Sequence, residues 1–143
     1  MEKILNYING ELVAPTNGNY LDNYNPSNGE VYSLIPDSEK QDIDNAVAAA
    51  KEAFKGWSKT PKQKRSDILM KLADKIEKYS YELIKAESKD NGKPETLAAH
   101  VDIPRAPANI RFFAGAILHD ISQMHEMDGM AINYTLRQPL GVA

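Results

Sequence analysis

The sequence predicts an α/β fold: short β-hairpins, then about four helices, then a further strand. Three observations predict it. An Asn9-Gly10 pair sits between short apolar stretches near the start. Apolar residues between 43 and 117 recur at helical steps of three and four. Ile132, Tyr134 and Leu136 alternate with polar residues near the end. Period four-and-three patterns belong to amphipathic helices, and strict alternation belongs to half-covered strands.

Taken in order, ILNYINGELVA reads as two strands joined at Asn9-Gly10 by a type I′ turn, which needs positive φ at both central residues. A second turn, Asn25-Pro26-Ser27-Asn28-Gly29, separates YLDNY from EVYSLIP, where Val31, Ser33 and Ile35 share one face. Ser38 is the expected N-cap of the first helix, whose stripe is Ile43, Val47, Ala50 and Phe54, with Gly56 as its end. Thr60 and Pro61 are the expected N-cap and N1 of the second helix, with Ile68, Leu69, Leu72 and Ile76 buried and Trp57 in the corner between the two. Ser80 would cap a third helix that closes at Asn91-Gly92. A fourth helical region begins near Pro94 and runs toward Ile117, but Pro104 and Pro107 must kink or restart it, because neither has a backbone N–H. Phe112 and Phe113 are expected to anchor its far half. Asp128-Gly129 then precedes the last strand, which Pro139 bounds.

Composition narrows the function. The chain has 143 residues, 42% hydrophobic and 26% charged, with a formal net charge of −3. That is an ordinary globular balance, and a complete domain of this size buries about two-thirds of its unfolded surface. The acidic balance gives no footprint for a nucleic-acid backbone, and no apolar run approaches the ~20 residues of a membrane span. No basic and apolar leader opens the chain, so a cytoplasmic location is expected. With no cysteine, the chain holds no disulfide, thiolate metal site or Cys nucleophile.

Motifs for chemistry are few. Neither G-x-G-x-x-G nor a P-loop occurs, so no pyrophosphate cradle can be placed here. His100, His119 and His125 lack metal-site spacing and read as surface residues. Asp90 stands beside a helix C-terminus, where leftover carbonyl oxygens can surround a cation, although an ordinary helix-ending turn is the favoured account of it. On a helical reading Val101, Arg105 and Asn109 form an i, i+4, i+8 row. An Arg fork with an amide beside it suits a carboxylate, while a solvated arginine is the plainer alternative.

The motifs YINGELV, NPSNGEVY, AVAAAKEAFKGW with Arg65 downstream, ESKDNGKP, RFFAG and YTLRQPLGV closely resemble, in order and spacing, the N-terminal part of the NAD-dependent aldehyde dehydrogenase superfamily. DIPRAPANIRFFA looks like the branch that oxidises 2-hydroxymuconic and 2-aminomuconic semialdehydes. The resemblance implies an α/β chain incomplete as a domain. Residues 1–118 would belong to the NAD-binding domain, 119–139 to the first hairpin of an oligomerisation arm, and 140–143 to a return into the NAD-domain core.

It also implies a thiolate mechanism. A Cys attacks the aldehyde, hydride passes to NAD, and a Glu-activated water hydrolyses the thioester while an Asn helps hold the oxyanion. All these groups fall beyond Ala143, so no catalytic residue and no NAD contact is assigned to this chain, which alone would be inactive. By the same resemblance Arg105 would grip the substrate's distal carboxylate, with Asn109 and Val101 on the same face. Asp90 and the backbone carbonyls of Asn23 and Tyr24 would match a monovalent-cation site. The complete protein would be a homodimer or homotetramer. The alternative expectation is a naturally truncated, non-catalytic remnant that binds a full-length relative.

Overall fold

The computed structural model describes residues 1–143. Five short strands come first: β1 (Glu2–Lys3), β2 (Asn6–Ile8), β3 (Glu11–Val13), β4 (Tyr20–Tyr24) and β5 (Val31–Pro36). β2 and β3 form an antiparallel hairpin with Ile8 opposite Glu11. Asn9 and Gly10 turn it with φ of 54° and 86°, as a type I′ turn requires. β5 is the middle of a three-stranded sheet, with β1 parallel on one side and β4 antiparallel on the other. Of the face predicted for β5, Ser33 is buried.

The helices follow as α1 (Lys40–Trp57), α2 (Lys62–Lys78), α3 (Ser80–Asn91), α4 (Glu95–Leu97), a π-helical turn (Ala98–Asp102) and α5 (Ile103–His119). β6 (Met124–Met127) and β7 (Ala131–Tyr134) close the order as a separate antiparallel hairpin.

Helix boundaries differ from the sequence expectation by one or two residues, each for a local reason. Ser38 does not cap α1; its hydroxyl exchanges hydrogen bonds with the Asn6 side chain. Glu39 is the N-cap, and its N–H donates to Asp42 Oδ2 at 2.9 Å. Asp42 Oδ1 also accepts the Thr16 N–H at 3.0 Å, so one buried carboxylate ties the helix start to the preceding loop. Gly56 lies inside the last turn of α1, which leaves through Ser58. The Thr60 hydroxyl donates back to the Gly56 carbonyl at 3.2 Å, serving the end of α1 in place of the start of α2. Ser80 is the first residue of α3, and Tyr79 is the boundary residue, because Leu83 already donates to its carbonyl.

Packing centres on α2 and α5, the largest contact between elements. Small residues let the two axes approach: Ser66, Ala73 and Ala114 are all buried. Ser66 Oγ donates to the Ala114 carbonyl across the interface at 2.7 Å. Arg111 of α5 then pairs with Glu77 and Asp74 of α2. The expected stripes are covered only in part, since Ile43, Ile68 and Leu72 remain exposed and Trp57 is half-exposed. Apart from Pro15 and Pro107, the only buried hydrophobic side chains are Ala73, Ala98 and Ala114.

Candidate functional site

The segment that joins α3 to α5, together with the first turns of α5, carries the candidate binding residues. α3 ends at Gly92, whose φ of 77° is the left-handed conformation of a helix C-cap. A Cβ there would also lie 3.1 Å from Pro26 Cβ, so the turn fits only glycine comfortably. Lys93 follows, its N–H donating to Asn91 Oδ1 at 3.0 Å and its carbonyl accepting from the Ser88 hydroxyl at 2.6 Å. The Lys93 ammonium reaches Asp102 Oδ2 at 2.7 Å and Glu87 Oε1 at 2.9 Å. Hydrogen bonds to Asp102 and then to Glu87 raise its pKa above the ordinary lysine value.

The predicted break at the prolines takes the form of a π turn. Ile103 N–H donates to the Ala98 carbonyl, five residues back. An α-helical path would drive the Pro104 ring against the carbonyl four residues earlier, and a wider turn relieves that clash. Pro107 is then carried inside α5, buried.

Beyond the turn, Arg105 and Asn109 stand one α-helical turn apart on the exposed face of α5. Val101 is also exposed but belongs to the π turn, so the expected i, i+4, i+8 row is regular only from Arg105 onward. The Arg105 guanidinium makes no ion pair or side-chain hydrogen bond within the chain, in contrast to Arg111, which is saturated by two carboxylates. A free planar fork with an amide one turn away can receive a carboxylate. Phe112 and Phe113 continue this open face at 68% and 65% exposure, and the two rings meet edge to face at 5.2 Å. They therefore do not anchor the helix to the core of this chain. Pro107 and Ala114 fill that role, because small residues allow closer approach of α2 than two phenylalanines would.

The second candidate lies at the end of α3. Asp90 Oδ1 accepts a hydrogen bond from the Tyr32 hydroxyl at 2.9 Å. Asn23 Nδ2 donates to that same hydroxyl oxygen at 2.9 Å and to Ser33 Oγ at 3.1 Å. Lys89 Nζ sits 4.4 Å from the centre of the Tyr32 ring. Burial first, and then the Asp90 carboxylate, push the Tyr32 phenol above its ordinary pKa. The β4–β5 register slips between Asn23 and Tyr24, an irregularity of the kind that releases carbonyls from a ladder. No group of three or more His, Cys, Asp or Glu side chains is placed to hold a metal ion. Sequence reasoning missed Tyr32 as the link between Asn23 and Asp90; its signal was a single tyrosine in opposite phase to Ser33. The three histidines are exposed, and His100 Nδ1 is engaged locally, 2.7 Å from the Thr96 carbonyl.

No strand, glycine-rich turn and helix follow one another here: β5 enters α1 through Asp37–Glu39, with no glycine. The residues present do not fit a dinucleotide pyrophosphate.

Comparison with known proteins agrees with this partial architecture. Residues 13–143 match the Aldehyde dehydrogenase family. The 2-aminomuconic semialdehyde dehydrogenase of Bos taurus is 49% identical over 139 residues, which is 96% of this chain and 28% of that protein. The 2-hydroxymuconic semialdehyde dehydrogenase of Pseudomonas sp. (strain CF600) is 40% identical, over 99% of this chain and 30% of that protein. The solved NAD+ complex of aldehyde dehydrogenase from Bacillus cereus superposes with a TM-score of 0.87 at 36% identity, over 93% of this chain and 28% of that one. The chain thus spans somewhat more than a quarter of the length of these relatives and aligns with a partial form of their fold. It belongs to the aldehyde dehydrogenase family.

Proposed function

We propose that this chain is the N-terminal portion of an NAD-dependent dehydrogenase that oxidises a carboxylated semialdehyde, of the 2-hydroxymuconic or 2-aminomuconic type, to its acid. The observation that carries the reading is Arg105: a guanidinium without an internal partner, one turn from the Asn109 amide, on an open helix face. In this reading Arg105 binds the carboxylate at the far end of the substrate, Asn109 adds a donor, and Val101 lines the same approach. That grip points the aldehyde away from α5. The names of the muconic semialdehyde dehydrogenases among the relatives support the substrate class. NAD, when bound, accepts the hydride; its site and the reacting thiol are assigned outside these residues, so the work of this chain is to bind and orient.

Residues 1–118 are read as part of the NAD-binding domain, 119–139 as the first hairpin of an arm that joins subunits, and 140–143 as the return. Every residue of β6 and β7 is exposed, so the hairpin adds nothing to the packing of this chain, which supports an intersubunit role. The same exposure favours the second reading, a non-catalytic remnant that docks this hairpin on a full-length relative; co-purification with such a relative is its test. A monovalent cation held by Asp90 with the carbonyls of Asn23 and Tyr24 belongs to the first reading, supported by the register slip beside it.

The test is Arg105→Ala in the complete enzyme, or in a chimera where residues 1–143 replace the matching part of a muconic semialdehyde dehydrogenase. The ratio of kcat/KM for a carboxylated semialdehyde to that for an uncharged aldehyde is expected to fall about 30-fold, equivalent to about 2 kcal/mol for a charge-assisted contact. Equal losses on both aldehydes would refute the role.

A further inference from the structure

We infer that Lys93 is a positioning residue for substrate selection: by bridging Glu87 of α3 and Asp102 of the π turn, it fixes the direction in which Arg105 leaves α5. The inference rests on the reading of Arg105 as the carboxylate receptor. Its own basis is the geometry of the junction.

Asp102 is the last residue of the π turn, and Arg105 lies three residues further on, in the first turn of α5. The backbone between them is weakly tied. Pro104 and Pro107 remove two N–H donors from the start of α5, and the π turn replaces the ordinary ladder with a wider one. Rotation of the first turn of α5 about its axis is therefore poorly restrained by backbone hydrogen bonds alone. A side-chain tie to the turn supplies the missing restraint.

Lys93 provides that tie with unusual support. Its side chain is only 25% exposed, and its ammonium contacts a carboxylate on either side at 2.7 Å and 2.9 Å. Glu87 is itself steadied by the Asn91 amide at 2.6 Å. The Lys93 backbone is pinned at both ends, by Asn91 and by Ser88. The chain of contacts thus runs from the rigid C-terminal turn of α3 through Lys93 to Asp102, and from there along one helical turn to Arg105. His100, the other polar side chain of the π turn, bonds only to Thr96 on its own segment and cannot relay a position from α3.

A tilt of the first turn of α5 would move a guanidinium at the end of a long side chain by an ångström or more, and misplacements on that scale cost large factors in rate. The test compares Lys93→Met, Lys93→Arg, Asp102→Asn and Arg105→Ala in the complete enzyme, each on a carboxylated semialdehyde and an uncharged aldehyde. Lys93→Met and Asp102→Asn are expected to lower the carboxylated-to-uncharged kcat/KM ratio on the order of 10-fold, mainly through KM for the carboxylated substrate. Lys93→Arg, which can still span two carboxylates, is expected to retain most of the ratio. In a double variant with Arg105→Ala, Lys93→Met should change the ratio no further. If Arg105→Ala lowers the ratio but Lys93→Met and Asp102→Asn reduce both aldehydes in parallel, the positioning role is overturned while the receptor reading stands. If Arg105→Ala leaves the ratio unchanged, both are overturned. Should Lys93→Met fail to fold, Asp102→Asn against Lys93→Arg decides the question alone.

Discussion

Asp42 shows how much a single carboxylate can organise. It caps α1 through the Glu39 N–H and holds the Thr16 N–H of the preceding loop, all while buried. The Thr16 side chain first, and then the Glu39 N–H, hold its pKa below the ordinary carboxylate value of 3.8. A lowered folded-state pKa means that the stabilisation is complete above the unfolded value and is lost as pH falls through the folded one. Asp42→Ala is therefore expected to cost about 1–2 kcal/mol near neutral pH, through the lost cap and an unpaired N–H. The difference from wild type in thermal unfolding of the complete enzyme should shrink as pH drops below about 4. A difference independent of pH would contradict the assignment. At Arg105, the same scale predicts that Arg105→Lys recovers only part of the selectivity lost with alanine, since an ammonium lacks the planar fork. Steady-state kinetics on the two aldehydes measure it.

At the scale of elements, the α3–α5 junction was partly readable. Asn91-Gly92 announced the stop of α3, and the pair of prolines announced a break. That the break would be a π turn was not readable, because a pair of prolines announces a break without fixing whether the helix kinks, restarts or widens there. Gly92 is the element's fixed point. Gly92→Ala would place a side chain at positive φ and at 3.1 Å from Pro26 Cβ, and is expected to cost about 1–2 kcal/mol, read as a lower Tm of the complete enzyme. A variant as stable as wild type would show that the turn can relax. The helix caps at Ser38 and Ser80 misled the sequence reading because hydroxyls announce a cap without fixing which residue uses it. Asn6 recruited one of them across 32 residues of sequence.

The whole molecule is poorly covered. Its accessible surface is 10855 Å², against about 7,300 Å² for a compact monomer of its mass, so folding buries only about half of the unfolded surface and not the two-thirds of a complete domain. β2–β3 and β6–β7 are separate two-stranded hairpins, and the three-stranded sheet has one two-residue strand. Phe112, Phe113, Ile132, Tyr134 and Leu140 are all exposed. Arg65 Nε is enclosed with no hydrogen-bond partner, a destabilising arrangement. The isolated 143-residue chain is therefore expected to be marginal or aggregation-prone, to bind a hydrophobic dye and to show weak near-UV circular dichroism. A cooperative melt with sharp tertiary signals would contradict this.

The sequence by itself determined the two N-terminal hairpins, the succession of helices, the type I′ turn at Asn9-Gly10, the stop at Gly92 and the family, but not the two-residue β1 or the end of β7 at Tyr134 in place of Leu136. The features it determined are set by local backbone sterics and by motif order, which need no distant partner. Only the tertiary structure decided which face of α5 turns inward, with Ala114 against Ser66 in place of the phenylalanines. It alone joined Asp90 to Asn23 through Tyr32, and Lys93 to the turn that carries Arg105. Those outcomes depend on how closely two helices approach and on contacts between residues far apart in the chain, and periodicity carries no information about either.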